Sequence, residues 1–392
     1  EEKDVREEEK SMALVFACEA DIDNCYDIIK FMLQYGASPI YKDQDGNTSV
    51  SIATKYMAYS LLEMLLLEGG EPIDGFEELQ RDFYQNGNDI LNLLLDHLKL
   101  RAHSKESDWI NSKKRGKPII TLLALNDADD YIKRVVELGA DIELKDDGPD
   151  AEYRTPLDWA LKKNKINAVK ALIEANANIN SSNGPIDGGW MPLHTAVESS
   201  DEDIIGLLLA HKQLNVNAQM KIDGYKGCSA LHLAVRRGDP RIVDLLLSRT
   251  NIDENIRREK KYTAIHDAVT NGCYDKNDDH LEIVRSLLMN GACPNIFDNR
   301  KNTPLLVAVE GHNIELVRLL VENGADFEFQ NDNGDSALSI ASENLEEPME
   351  IETVKILLNY QTEVMSTPQI SKVLEEKIQN LLKKNNDQIV AA

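Results

Sequence analysis

Apolar residues fall in short paired blocks along this chain, and the pairs recur at a nearly constant interval. The second block of each pair reads "INAVKALI", "DIIGLLLA", "RIVDLLLS", "LEIVRSLLM", "IELVRLLV" or "IETVKILL". Apolar residues at i, i+1, i+3 and i+4 make one side of a short helix apolar. The first block is a hexamer: "TPLDWA" from Thr155, "MPLHTA" from Met191, "SALHLA" from Ser229, "TAIHDA" from Thr263, "TPLLVA" from Thr303 and "SALSIA" from Ser336. Successive hexamers start 36, 38, 34, 40 and 33 residues apart. Glycine-alanine or a near equivalent follows the second block, as in "NGACPN", "NGADFE" and "ANANIN", which suits a left-handed helix stop. The pattern predicts a repeated helix-turn-helix. One such unit cannot bury its own apolar face, so units must stack.

The N-terminal third carries the pattern more weakly. One repeat is predicted up to Gly36-Ala37, and a second has Thr48 and Ala53 in the hexamer's Thr and Ala positions. A third turns at Asn86-Gly87, and a fourth keeps Gly139-Ala140-Asp141 without the hexamer. The first three of these divergent repeats occupy 11–98, and residues 118–360 hold the rest, with the best matches at 150–360. The charged run 1–10 reads as a tail, and 99–117 as a polar insertion or loop. Residues 366–386 open on Thr367-Pro368 and carry an amphipathic stripe, which predicts a C-terminal capping helix.

The hexamers and their spacing resemble the ankyrin repeat family, with its T-P-L-H-x-A signature and period near 33 residues. Six repeats between about 150 and 360 carry the resemblance. Thr or Ser caps the first helix, Pro suits its first turn, and Leu and Ala pack inward. The resemblance implies an all-α ankyrin-repeat solenoid of about ten helix-turn-helix repeats with projecting β-hairpin loops. It also implies that partners lie along a concave face of hairpin tips and first helices.

Composition narrows the function. Lys and Arg number 43 against 68 Asp and Glu, a formal charge of −25. So acidic a chain makes nucleic acid an unfavourable partner, and favours a partner protein or peptide with a basic face. No stretch approaches the roughly 18 to 20 apolar residues a membrane span needs, and no membrane insertion is expected. The five cysteines are odd in number and scattered, with no C-x-x-C pair, which points to a reducing compartment. The expected location is the cytoplasm, with the nucleus as the alternative. The absence of a starting Met points to a piece of something longer.

His194, with Glu198, Asp201, Glu202 and Asp203 nearby, has the makings of an acid-base site. His232 and His266 occupy the same hexamer position, and a catalytic histidine needs one special environment rather than three equivalent ones. The resemblance implies a structural role, the imidazole bonding backbone near the adjoining turn. Asp275, Asp278 and Asp279 offer oxygen donors but lack the order of a calcium loop, and a solvated loop is expected there. No phosphate-binding, serine-hydrolase or kinase signature is present. The expectation is a non-enzyme with no cofactor and no metal. "KKRGK" (113–117) and "RREKK" (257–261) are basic clusters of a length common on solvated loops, with nuclear import or a small acidic-ligand contact as the alternative.

The residue before each hexamer belongs to the partner face in the family: Arg154, Trp190, Cys228, Tyr262, Asn302 and Asp335. Groove positions after the hexamers include Glu198, Arg236, Arg237 and Glu310. Trp, Tyr and Arg are the side chains that most often anchor interfaces. The candidate partner-binding residues are therefore Trp190, Glu198, Arg236, Tyr262, Asn302 and Glu310, with packing of Trp190 and Tyr262 on neighbouring hairpins as the competing role. The expected function is an intracellular scaffold or adaptor. The alternatives are the sensory or targeting region of a larger channel, kinase or nuclease, and a viral or intracellular-bacterial effector that captures host proteins.

Overall fold

The computed structural model describes residues 2–20, 25–76, 87–101, 110–111, 113–114, 117–147, 153–182, 189–199, 201–274, 278–343 and 348–365. The expected capping helix at 366–386, much of the 99–117 loop and Asn86 lie outside them. The chain divides into two compact units, residues 1–185 and 186–392.

The first unit runs α1 (Glu2–Ala20), α2 (Tyr26–Gln34), α3 (Ser49–Lys55), α4 (Tyr59–Leu67), α5 (Pro72–Phe76), α6 (Gly87–Arg101), α7 (Ile119–Leu125), α8 (Asp129–Glu137), α9 (Pro156–Lys162) and α10 (Ile166–Glu174). A two-residue antiparallel ladder, β1 (Lys113–Lys114) with β2 (Lys117–Pro118), precedes α7. The second unit runs α11 (Pro192–Ser199), α12 (Glu202–Ala210), α13 (Ala230–Arg237), α14 (Pro240–Leu247), α15 (Ala264–Tyr274), α16 (Asp278–Met289), α17 (Pro304–Glu310), α18 (Ile314–Glu322), α19 (Ala337–Glu343) and α20 (Pro348–Met365). Within the second unit, first helices stack on first helices, α11 through α19, and second helices on second helices, α12 through α20. Both units are helical stacks of this all-α kind.

The hexamers explain the stacking. The Thr155 and Thr303 hydroxyls accept the N–H of Asp158 and Leu306, fixing the helix starts, and Pro156 and Pro304 fill the first turns. Ala160, Ala196, Ala234, Ala268 and Ala308 are completely buried, and nothing larger would let adjacent helices approach as closely. Second helices start on Asp201, Asp239 and Asn313, whose side chains accept backbone N–H groups.

Two expectations differ from the structure. Residues 2–10 are the first turns of α1 rather than a tail; a run of charges with no apolar stripe hides such a helix. Asp278 and Asp279 are not in a solvated loop but in the first turn of α16, where carboxylates are favoured by the helix dipole. The 40-residue interval is explained by that region. Helices α15 and α16 have 11 and 12 residues where α17 and α18 have 7 and 9, so all seven extra residues are helical.

The hairpin loops of the second unit are tight turns. Arg258 N–H donates to the Tyr262 carbonyl (2.8 Å), Asp298 N–H to Asn302 (3.0 Å) and Asn331 N–H to Asp335 (3.0 Å). Successive turns are bonded to one another. Glu259 N–H donates to the Lys226 carbonyl, Asn299 N–H to Lys260 and Asp332 N–H to Arg300, each at 3.0 Å.

Candidate functional site

The three histidines are buried in the second unit. The backbone N–H groups of Met191, Ser229 and Thr263 donate to Nδ1 of His194, His232 and His266, at 3.2, 3.3 and 3.3 Å. Each ring therefore closes the start of its own helix. Nε2 of His194 lies 3.2 Å from the Ala218 carbonyl, and Nε2 of His266 the same distance from that of Asn302, so these rings also brace the following turn. Burial pushes His194 and His232 down to about 4 and lowers His266, keeping the imidazoles neutral. Glu198 is exposed, and Asp201 is occupied as the cap of α12. Nothing here forms an acid-base pair.

In the first unit Asp158 takes the histidine's place. Its carboxylate accepts the Thr155 N–H (3.1 Å) and hydroxyl (3.0 Å), and burial pushes its pKa up to about 6. Among the described residues, no group of three or more His, Cys, Asp or Glu could hold a metal ion.

The candidate partner residues fall into separate clusters. Trp190 meets Tyr225 edge-on, with ring centroids 5.4 Å apart, and the Arg236 guanidinium sits 5.1 Å above the Tyr225 ring. Trp190 and Tyr225 are half-buried and Arg236 is exposed. Tyr225, which joins Trp190 to Arg236, was missed by sequence reasoning; it lies three residues before the pre-hexamer position, in a lengthened hairpin. Glu198 pairs with Arg237 (3.6 Å), which also donates to the Glu198 carbonyl at 2.7 Å.

Tyr262 belongs to a different cluster. Arg258 lies 5.0 Å above its ring, His266 sits 5.4 Å away, and Arg258 forms an ion pair with the buried carboxylate of Asp267. Burial and then Asp298 raise the Tyr262 pKa. Asn302 serves the turn: its N–H donates to Asp298, and its side-chain oxygen accepts from Asn331 at 3.1 Å. Glu310 ends α17, its pKa raised by burial and then by Asp335. A cavity of about 350 Å3 lies nearby, lined by Gly272, Cys273, Leu281, Gly311 and Leu316, where the longer α15 and α16 meet the shorter α17 and α18. Burial pushes the Cys273 thiol up to about 11, so it is not a reactive thiolate.

The family described as ankyrin repeats (three copies) matches residues 120–220, 193–298 and 275–367. The chain belongs to the ankyrin repeat family. Among curated relatives of this ankyrin repeat protein, the human transient receptor potential cation channel subfamily A member 1 is 27% identical over 196 residues, 44% of this chain and 15% of the channel. The human 2-5A-dependent ribonuclease is 44% identical over 52 residues, 13% of this chain and 7% of the ribonuclease. The mouse B-cell lymphoma 3 protein homolog is 31% identical over 198 residues, 49% of this chain and 42% of that protein. The chain thus spans less than half the length of each. Among solved structures, the ankyrin repeat domain of Bcl-3 has a TM-score of 0.49 at 18% identity, covering 70% of this chain and 98% of that one. An ankyrin repeat domain from Acinetobacter baumannii has a TM-score of 0.47 at 26% identity, covering 53% and 98%.

Ankyrin repeats are protein-protein interaction modules, and the ankyrin fold is itself non-catalytic. Among the described residues, no helix is long and apolar enough to cross a membrane.

Proposed function

We propose that this ankyrin repeat protein is an intracellular scaffold or adaptor that holds a segment of a partner protein against the face containing Trp190, Arg236 and Tyr262. The observation that carries the reading is the Trp190–Tyr225–Arg236 stack. Two aromatic rings and a guanidinium remain partly open to solvent, although the repeat's own caps and core need none of them. Glu198, Asn302 and Glu310 would form the polar rim, with Asn302 acting through a turn already fixed by Asp298 and Asn331. The net charge of −25 favours approach of a partner with a basic face at long range. Cytoplasm or nucleus suits a chain with scattered, unpaired cysteines.

A second reading is favoured by one observation: the chain spans 15% of the channel and 7% of the ribonuclease it matches. It would then be the partner-recognition region of a longer protein, with the same binding face.

Partner capture from a cell lysate by wild type and by the Trp190→Ala/Tyr262→Ala variant tests both forms. Lost capture with a nearly unchanged cooperative melt supports the reading. Unchanged capture with a large stability loss assigns the two rings to the scaffold.

A further inference from the structure

Three consecutive hairpins of the second unit reverse the sign of the whole chain. Residues 219–228, 255–262 and 295–302 hold eight Lys or Arg and three Asp or Glu, in a protein where acids outnumber bases. One of those three acids, Asp298, is buried and accepts the turn's own N–H groups from Arg300 and Asn302. Arg258 and Lys301 pair with Asp267 and Asp332, which leaves six cations against Asp223 and Glu259 at these tips.

The cations are in register. The carbonyls of Lys226, Lys260 and Arg300 each accept the N–H of the next hairpin at 3.0 Å, so the three residues occupy equivalent places on three bonded turns. All three are exposed, and among the described residues they make no ion pair. Arg257 is exposed beside them, its guanidinium 5.5 Å above the Phe297 ring, which stacks on Phe329.

Backbone strain falls on Lys260 of this row and on its neighbours Lys261 and Lys301. Gly46, Gly227 and Gly334 stand two residues before a capping Thr or Ser, with φ of 82°, 79° and 87°. Lys261 and Lys301 stand in the same place at φ 61°, and Lys260 has φ 64°. Side chains with a Cβ are disfavoured in this left-handed region, where glycine is the unstrained choice. The middle hairpin also gives up its turn acceptor. Where Asp298 and Asn331 bond two N–H groups of their own turns, the equivalent residue is Arg258, whose guanidinium turns to Asp267. Lys261 and Lys301 thus stand where other turns have glycine, and Arg258 where they have Asp298 or Asn331.

We propose that the row Lys226, Lys260 and Arg300, with Arg257 and Lys261 beside it, binds an extended acidic segment of a partner protein. The inference rests on the reading of this unit as a protein-binding module and adds the chemistry of the partner. The expectation of a basic partner, drawn from net charge, does not apply to these tips. Charge complementarity selects the occupant: carboxylates spaced along an extended chain meet successive cations, and the protein-binding reading of this unit makes a peptide the carrier of that charge.

Fluorescence anisotropy on the full chain tests this with three probes: a labelled Glu-rich peptide, its Lys-rich counterpart and a short single-stranded DNA. The Glu-rich peptide should bind in low salt and be released as salt rises. The Lys226→Gln/Lys260→Gly/Arg300→Gln variant should bind it about tenfold more weakly with little change of melting temperature, relief of strain at 260 offsetting glycine's freedom in the unfolded chain. Absent binding, or equal binding by the variant, overturns the proposal. Tighter binding of the DNA than of the Glu-rich peptide overturns it in favour of a nucleic-acid surface. If this variant captures the lysate partner normally while Trp190→Ala/Tyr262→Ala does not, the acidic segment is wrong and the protein-binding reading stands. If both variants capture it normally, both fail.

Discussion

The Nε2 of His266 lies 3.2 Å from the carbonyl of Asn302, so one buried ring connects the start of α15 to the turn that precedes α17. Its Nδ1 is already accepting the Thr263 N–H, and the ring therefore carries its proton on Nε2. Replacing His266 with Ala leaves the buried Thr263 N–H without its ring acceptor, while the Asn302 carbonyl keeps only the Asp298 N–H. The expected loss is about 1–3 kcal/mol, measured by urea denaturation at pH 7.

Acid should weaken the second unit through the same rings. His194, His232 and His266 have folded-state pKa values below the ordinary 6.5, so the unfolded chain binds more protons at intermediate pH. Their contribution is complete above about 6.5 and is lost as pH falls through the folded values, about 4 for His194 and His232. For His194 and His232 it is on the order of 3 kcal/mol each. Urea midpoints followed from pH 7 to pH 4.5 should fall, and a flat profile would contradict the buried neutral imidazoles.

Asp158 acts with the opposite sign. Its folded pKa of about 6 lies above the usual 3.8, so the folded state holds the proton more tightly. Stability from this group is full below about 4 and is lost as pH rises through about 6. Asp158→Asn removes the buried charge but keeps a carbonyl for the Thr155 N–H. It should stabilise the chain at pH 7 by on the order of 1 kcal/mol and have less effect at pH 4.

The Arg258–Asp267 pair gives a fourth test. The Asp267 side chain is only 7% exposed, so Arg258→Ala strands a buried carboxylate. A loss of about 3 kcal/mol is expected, and Arg258→Leu/Asp267→Leu should recover much of it. A double-mutant cycle by thermal melting measures both.

Backbone strain at the tips is tested by Lys261→Gly. Relief of the left-handed conformation opposes the greater freedom glycine gives the unfolded chain, leaving a change within about 1 kcal/mol. Lys261→Val, branched at Cβ, should lower the melting temperature instead.

The repeat was legible because capping and helix packing leave local marks. Thr155, Pro156 and Ala160 carry the same instruction as Thr303, Pro304 and Ala308 in any copy of the hexamer. The histidines were legible for the same reason, through recurrence. The candidate site was less so. Tyr225 meets Trp190 only because two hairpins are brought side by side, and nothing in the intervening 34 residues records that meeting. Arg258 looked like part of a solvated basic run, since its partner Asp267 is set by the turn's geometry. The first turns of α1 escaped notice because they carry charges without an apolar stripe.

The seven additional residues of the fourth interval lengthen α15 and α16 and leave the adjoining turns bonded as before, Glu259 to Lys226 and Asn299 to Lys260. Growth of this repeat is thereby confined to the body of the stack, and the turns on either side of it stay bonded. A ligand laid along those turns would meet successive contact points, blind to how much chain separates them.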